Sequence, residues 1–175
     1  AVIFGLGPIG LLIVEALRAA GASKIYAVEL SPERQAKAEE LGAIVVRPEE
    51  GETVVEAIHR LTGGGADVSY EVTGVPVVLG QALAAVHKAG ECMVVSIWER
   101  EASINPNEFA IQEKSLKGII AYRHIFPKVL ELMEQGYFPA DKLVTKKIKL
   151  ENIVEEGFVE LTQDKSQIKI LVQPE

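Results

Sequence analysis

Three glycines near the start of the chain have the spacing of a phosphate-binding turn. They are Gly5, Gly7 and Gly10 in the stretch GLGPIG. Gly5 permits a tight reversal, Gly7 lets backbone approach an anion, and Gly10 lets a helix lie close to a strand. Pro8 fits the first turn of a helix, where its missing N–H costs no intrahelical bond. The N–H groups of that turn, with Ile9 the expected donor, would face an anion at the positive end of the helix dipole.

An acidic residue follows this turn at the distance expected of a ribose-binding carboxylate. Glu29 lies nineteen residues after Gly10 and ends a second apolar run, residues 25–28. A first apolar run, residues 1–4, precedes the turn, and a helical pattern extends to about residue 20. Strand, glycine turn, helix, strand and acid together are the layout of a dinucleotide-binding βαβ unit. The alternative is a purely structural turn, which would not need the distant acid.

Apolar runs and helical patterns continue to alternate as far as residue 121. Helices are predicted at 31–41, 53–61, 76–87 and 106–112, and strands at 43–46, 66–72, 92–97 and 116–121. This alternation predicts an α/β fold, a doubly wound Rossmann sheet of six parallel strands in the order 3-2-1-4-5-6. A cofactor should cross the carboxyl ends of strands one and four. Val72, Thr73 and Gly74 follow strand four and therefore join the expected site, although Gly74 could also be an ordinary loop glycine.

The pattern changes after residue 121. Helices are predicted at 126–135 and 151–161, and strands at 143–150 and 168–172. These elements exceed what a six-stranded sheet needs. We therefore predict two domains: a Rossmann domain, residues 1–121, and a small α+β tail, residues 122–175, which is part of a second domain.

Composition excludes several classes of protein. The chain has 175 residues, 48% of them hydrophobic, and a formal net charge of -7, which argues against a nucleic-acid partner. No stretch is long and apolar enough to span a bilayer. The single cysteine, Cys92, excludes an internal disulfide framework and fits a reducing compartment. We expect a globular, cytoplasmic protein without a membrane partner.

With these residues in view, the chain resembles the carboxyl-terminal half of the zinc-dependent medium-chain alcohol dehydrogenases, especially the 2,3-butanediol and sorbitol (polyol) branch. The similarity lies in FGLGPIGLL, VELSPERQAKAEELGA, DVSYEVTG and LKGIIAYRHIFP. It implies an NAD-dependent oxidoreductase that converts a secondary alcohol or vicinal diol to a ketone by hydride transfer. It also implies a catalytic zinc held by an amino-terminal domain, a tail that belongs to that GroES-like catalytic domain, and a homodimer or homotetramer formed through the sheet edge.

The resemblance also extends the expected cofactor site. It matches Glu29 to the ribose-binding acid and Arg34 to the basic residue beyond it. Further expected contacts are Val72, Thr73 and Gly74 near the riboses, Val95, Ser96 and Ile97 near the carboxamide, and Ile120, Ala121 and Tyr122 beside the nicotinamide. Ala121 stands where sorbitol-type enzymes carry an arginine, which weakens a sugar-alcohol assignment.

We expect no catalytic residue and no metal ligand in this chain. The GHE motif and the cysteine–histidine–glutamate set of the family do not occur, and His59, His87 and His124 are scattered. Zinc is therefore expected only in a full-length parent. Two other functions use similar glycine turns: a non-enzymatic NAD-sensing Rossmann module, and a methyltransferase that binds S-adenosylmethionine. The first has no need of the tail, and the second normally ends in an antiparallel strand with different glycine spacing.

Overall fold

A six-stranded parallel sheet forms the larger part of the molecule. The computed structural model describes residues 1–164 and 166–174. The sheet has the order β3-β2-β1-β4-β5-β6. Its strands are β1 (Val2–Phe4), β2 (Tyr26–Val28), β3 (Ile44–Val45), β4 (Ala66–Glu71), β5 (Val86–Val94) and β6 (Ser115–Gly118). The helices between them are α1 (Pro8–Ala19), α2 (Pro32–Glu40), α3 (Val54–Thr62), α4 (Pro76–Ala84) and α5 (Asn107–Ala110). The predicted Rossmann order is confirmed.

The helix ends follow the residues that the sequence offers for capping. The Ser31 side chain accepts from the N–H of Arg34 at the start of α2, with proline in the first turn. Thr53 and Glu56 form a capping box at the start of α3. Gly63 ends α3 in the left-handed conformation, at φ 77°. These local signals explain why the predicted helix starts agree with the structure.

Both faces of the sheet are covered by apolar side chains. Val2 and Phe4 of β1 belong to one buried cluster, and Ile3 between them belongs to a second. Successive side chains of a strand point to opposite faces, so β1 contributes to the core on both sides. All three side chains are at most 1% exposed. Burial on both faces is the reason that β1 is apolar throughout rather than alternating.

The carboxyl ends of three strands meet at the point where the winding direction reverses. Strand β1 pairs with β2 on one side and with β4 on the other. The N–H of Gly5 donates to Val28 O (2.9 Å), and the N–H of Val72 donates to Phe4 O (3.0 Å). The glycine turn, the end of β2 and the loop after β4 therefore lie side by side.

The predicted helix over residues 76–87 is too long. Helix α4 ends at Ala84, and His87 lies in β5, which begins earlier than the predicted strand 92–97. The N–H of Ala66 donates to Ala85 O (2.9 Å). The chain therefore pairs with β4 from this point, although the helical pattern of the sequence continues to His87. Tertiary pairing overrides local periodicity here. Strand β6 also ends at Gly118, before the predicted residue 121.

The tail packs against the Rossmann part through a few buried side chains. Its elements are α6 (Phe126–Glu134), α7 (Ala140–Leu143), β7 (Val144–Lys149), a 3₁₀ turn (Leu150–Asn152), a π-helix (Ile153–Val159), α8 (Glu160–Gln163) and β8 (Lys169–Gln173). Strands β7 and β8 pair in parallel. Leu143 and Ile168 join the cluster that contains Ile3. The N–H of Phe138 donates to the buried carboxylate of Glu15 (3.3 Å).

The predicted helix over residues 151–161 forms as three short helical segments instead of one α-helix. Gly157 lies in its π-helical part, and a Cβ there would come 3.3 Å from Ile148 Cδ1. Close packing on β7 accompanies the wider turn, which the helical periodicity of the sequence does not reveal. In the part of the chain that the structure describes, no helix combines the length and the apolar character needed to cross a membrane.

Candidate cofactor site

The glycine turn leads directly into the amino terminus of α1. Gly7 is the N-cap and Pro8 occupies the first helical position. The first intrahelical bond runs from Leu11 N to Gly7 O (3.0 Å). The N–H groups of Ile9 and Gly10 precede that bond and therefore belong to the open end of the helix. Such an end attracts phosphate through its N–H groups and its dipole.

The three glycines of the turn meet different surroundings. A Cβ on Gly10 would lie 2.0 Å from Gly5 O, and a Cβ on Gly5 would lie 2.7 Å from Thr73 Cγ2. Both positions are therefore closed to larger residues by packing. A Cβ on Gly7 would meet nothing within 4 Å. The space above Gly7 is open in the way that a bound pyrophosphate requires.

Glu29 is tied to the turn by its carboxylate. Oε2 accepts from the N–H of Leu6 (2.9 Å), and Oε1 accepts from the N–H groups of Leu30 (2.7 Å) and Ser31 (3.0 Å). The guanidinium of Arg34 comes within 3.9 Å of Oε2. Backbone donors hold the charged side chain in one position, at the carboxyl end of β2. The acid and the glycine turn are thus parts of one hydrogen-bonded unit.

A second carboxylate, Glu71, holds the other side of the site, and the sequence analysis did not single it out. Its side chain is 0% exposed. Oε1 accepts from the N–H and the hydroxyl of Thr73 (2.7 and 2.5 Å) and from the N–H of Gly74 (3.1 Å), while Oε2 accepts from the Ser96 hydroxyl. The N–H of Val95 donates to the Glu71 carbonyl (2.9 Å). Glu71 therefore joins the loop after β4 to the end of β5. An acid at the end of an apolar strand, as at Glu29, was the available signal.

A cleft of about 560 Å³ lies between the glycine turn and α4. Six predicted site residues line it: Gly5, Gly7, Glu29, Arg34, Val72 and Thr73. Sequence reasoning missed the other lining residues, which are Phe4, Val28, Leu30, Val75, Val77, Val78 and Gln81. Most of these are apolar and come from β1, β2 and α4. Their shared location at the sheet edge depends on the strand order and was not visible in the sequence.

The remaining predicted residues do not reach this cleft. Gly74 and Ile97 line a separate depression of about 420 Å³, together with Glu99 and Arg100. A Cβ on Gly74 would lie 3.0 Å from Ile97 O, and its φ is 70°, so backbone conformation and packing both favour glycine there.

A third depression, about 400 Å³ in volume, contains Ile120 and Ala121. The Tyr122 ring packs on Phe126 with centroids 5.5 Å apart. Two side chains in these depressions, Ile97 and Ile120, are 83% and 80% exposed. The expected nicotinamide contacts thus form an open surface rather than a closed pocket.

Comparison with known proteins identifies the family. Residues 8–135 match the family model described as zinc-binding dehydrogenase. The chain belongs to this family. It is 63% identical over 174 residues to the (R,R)-butanediol dehydrogenase of Bacillus subtilis, covering 99% of this chain and 50% of that protein. It is 31% identical over 175 residues to the sorbitol dehydrogenase of the same species, covering 98% and 49%.

A solved structure gives the same result for the fold of this zinc-binding dehydrogenase chain. The crystal structure of 2R,3R-butanediol dehydrogenase from Bacillus subtilis superposes with a TM-score of 0.95 at 63% identity, over 99% of this chain and 50% of that one. The chain spans about half the length of the curated relatives it matches. The resemblance inferred from the sequence motifs is confirmed.

The family name raises the question of a metal in this chain. Within residues 1–164 and 166–174, no group of three or more His, Cys, Asp or Glu side chains could hold a metal ion. His59 Nε2 lies 2.8 Å from Ala84 O, and His87 Nε2 lies 3.3 Å from Asp67 Oδ1. These two rings have backbone and surface partners outside the cleft. The described residues therefore do not fit a zinc ion.

Proposed function

We propose that this chain is the NAD-binding half of a zinc-dependent alcohol dehydrogenase that oxidises a secondary alcohol or vicinal diol, of the 2,3-butanediol kind, to a ketone. One observation carries the proposal: the N–H of Leu6, in the glycine turn, donates to the Glu29 carboxylate (2.9 Å) and so holds the acid beside the turn. The choice of a diol rests on the 63% identity to a butanediol dehydrogenase. The ligands of the zinc would come from the half of those relatives that this chain does not span.

The same geometry favours NAD over NADP. A carboxylate such as Glu29 accepts from the ribose hydroxyls and repels a 2′-phosphate. Arg34 offers a positive charge nearby, but its guanidinium faces the Glu29 carboxylate, 3.9 Å away. The charge is thereby directed to the acid and is not free for a phosphate. We therefore expect NAD to bind more tightly than NADP.

The bound cofactor would extend from the cleft along the carboxyl ends of the strands. Its pyrophosphate would lie on the N–H groups of Ile9 and Gly10, and its riboses between Glu29 and the Val72, Thr73 and Gly74 loop. We assign the carboxamide and nicotinamide to Val95, Ser96, Ile97, Ile120, Ala121 and Tyr122. NAD would supply the hydride acceptor, while these residues would bind and orient the ring. Apolar side chains as exposed as Ile97 need a further surface to exclude water.

The proposal includes the setting in which the whole protein works. We propose a cytoplasmic enzyme that acts on a small alcohol or ketone. Residues 122–175 would be the tail of its catalytic domain. The enzyme would form a homodimer or homotetramer through β6. The lone buried cysteine supports a reducing compartment. Strand β6 supports the assembly, because it ends the sheet and leaves one side unpaired.

Binding and turnover test the proposal separately. Calorimetry on the 175-residue chain should give weak binding of NADH and weaker binding of NADPH. The chain alone should oxidise no alcohol, even with zinc added, when NADH absorbance is followed with a panel of secondary alcohols and diols. Joining Ala1 to the amino-terminal half of the Bacillus subtilis butanediol dehydrogenase should restore diol oxidation. Turnover by the chain alone, or tighter binding of NADPH, would contradict the proposal.

A further inference from the structure

The part of the cleft beyond Glu29 is shaped to take a flat apolar group. Val28 and Leu30 border it at the end of β2, and Val77 and Val78 border it from α4. Leu30 is 94% exposed and Val77 is 65% exposed. Aliphatic side chains exposed on both borders of a cleft are suited to covering a planar ring. If the ribose lies at Glu29, the adenine is the group that reaches this end of the cleft.

Gln81 contributes the one free polar side chain among the described residues that line the cleft. The Glu29 carboxylate has three backbone donors, and Arg34 faces it. Thr73 donates its hydroxyl to Glu71 and accepts from the N–H of Val75. Within the part of the chain that the structure describes, no hydrogen bond is found for the Gln81 amide, although the side chain lines the cleft and is half-buried. An amide in that position can offer both of its polar groups to a ligand.

The position of Gln81 on α4 decides which part of a ligand it can meet. Helix α4 starts at the carboxyl edge of the sheet, and Gln81 lies one turn beyond Val77 on the same helix face. It therefore sits deeper in the cleft than the aliphatic border. A base held by that border would direct its far edge toward the amide.

We propose that the Gln81 amide reads the Watson–Crick edge of the adenine. The amide oxygen accepts from the 6-amino group, and the amide NH₂ donates to the ring N1, a pairing that matches donors and acceptors on both sides. Gln81 is thus a specificity residue for the cofactor base, placed away from the reacting atoms. The inference rests on the proposed NAD-binding function and adds the group that recognises the base.

A fluorescent cofactor analogue tests this contact. In 1,N6-etheno-NAD, a bridge across N1 and the 6-amino group removes the edge that Gln81 would read. Wild-type chain should bind NAD about tenfold more tightly than the etheno analogue. Gln81→Met should weaken NAD binding by about the same factor and leave binding of the analogue unchanged. Gln112→Met, an exposed glutamine outside the cleft, is the matched control and should change neither affinity.

The possible results separate this inference from the function on which it rests. If wild-type chain binds NAD and Gln81→Met leaves the preference for NAD over the analogue intact, the base contact is wrong while NAD binding stands. Equal weakening of both ligands would also overturn it, because it would indicate a general packing role. If wild-type chain binds neither NAD nor ADP-ribose, the proposed function fails as well. Thermal melting checks folding, and Gln81→Leu serves as a second apolar variant.

Discussion

The Glu71 carboxylate accepts hydrogen bonds from both the backbone N–H and the hydroxyl of Thr73, at 2.7 and 2.5 Å. The same buried side chain also accepts from Ser96 in the loop that follows β5. A single carboxylate therefore fixes two of the loops that border the expected cofactor site. The carboxylate is fully buried. If it were removed, its hydrogen-bond donors would be left unpaired, because water could not reach them to replace the lost bonds.

Replacing Glu71 should reveal how strongly these loops depend on it. The Glu71→Gln variant keeps the shape and one acceptor oxygen, and the new NH₂ group can donate to the Ser96 hydroxyl, so we expect a loss of about 1 kcal/mol in the free energy of unfolding. Glu71→Ala leaves all four donors without an acceptor and should lower the free energy of unfolding by about 3 kcal/mol. Urea unfolding measures both, and NADH titration should show weaker binding in the same order. Equal stability of the alanine variant would contradict the assigned role.

Substitutions at Gly10 and Gly7 should separate folding from binding. Gly10→Ala would place a Cβ 2.0 Å from Gly5 O, and we expect it to destabilise the fold by roughly 2–4 kcal/mol. Gly7→Ala meets nothing within 4 Å and has an ordinary φ of -66°, so it should melt like wild type. It should nevertheless weaken NADH binding, because the methyl group occupies the path of the pyrophosphate. Unchanged NADH affinity in Gly7→Ala would argue against a phosphate at this turn.

Glu29 should control the choice between NAD and NADP. Glu29→Gln removes the negative charge and keeps an oxygen that can accept from Leu6 N. We expect the ratio of NAD to NADP affinity to fall at least tenfold, about 1.4 kcal/mol. Glu39→Gln, on the exposed side of the following helix, changes the net charge equally and should leave the ratio unchanged. Calorimetry with both cofactors measures this affinity ratio. A similar change of the ratio in Glu29→Gln and Glu39→Gln would mean that net charge alone is responsible.

Cys92 should be inert in the folded protein. Burial raises the pKa of its thiol above the usual value, and the hydrogen bond to Ser69 offsets this only in part. The thiol is therefore neutral at pH 8, and a thiol reagent such as DTNB should react far more slowly with native than with unfolded chain. Because the folded pKa is the higher one, this group's contribution to stability is complete below about pH 8.5 and falls as pH rises further. Rapid labelling of native protein would contradict this prediction.

The open side of β6 should mediate self-association. Ile104 is 39% exposed and lies in the segment that connects β5 to α5, between the last two strands of the sheet. We expect light scattering to find dimers or tetramers at micromolar concentration, and Ile104→Lys to shift them toward monomers. Ile44→Lys introduces the same charge on β3 at the opposite edge and should have no effect. Monomers only in the wild-type chain would count against the assembly.

Local sequence signals determined much of the fold and one side of the site. Gly5 specifies the turn through its positive φ of 94° and Gly10 through its close approach to Gly5 O, and both effects are local. Ser31 and Thr53 specify helix starts through side-chain caps. Regular alternation of strands and helices leaves few topologies, because parallel crossovers are right-handed. The strand order and the family could therefore both be predicted from the sequence.

Other features depended on contacts between distant parts of the chain. Helix α4 ends at Ala84, earlier than predicted, because the Ala85 carbonyl accepts from the N–H of Ala66. Helical periodicity cannot show that this pairing replaces a further turn of helix. In the sequence, little distinguishes Glu71 from the other acidic residues. Its hydrogen bonds with Thr73 and Ser96, which are two and twenty-five residues away, form only in the folded chain. The sequence thus determined the glycine turn, because its geometry is local, and it marked Glu29 by its place at the end of the second apolar run. Only the tertiary structure decided which residues form the second wall of the cleft, because that wall exists only where β1, β2 and α4 converge.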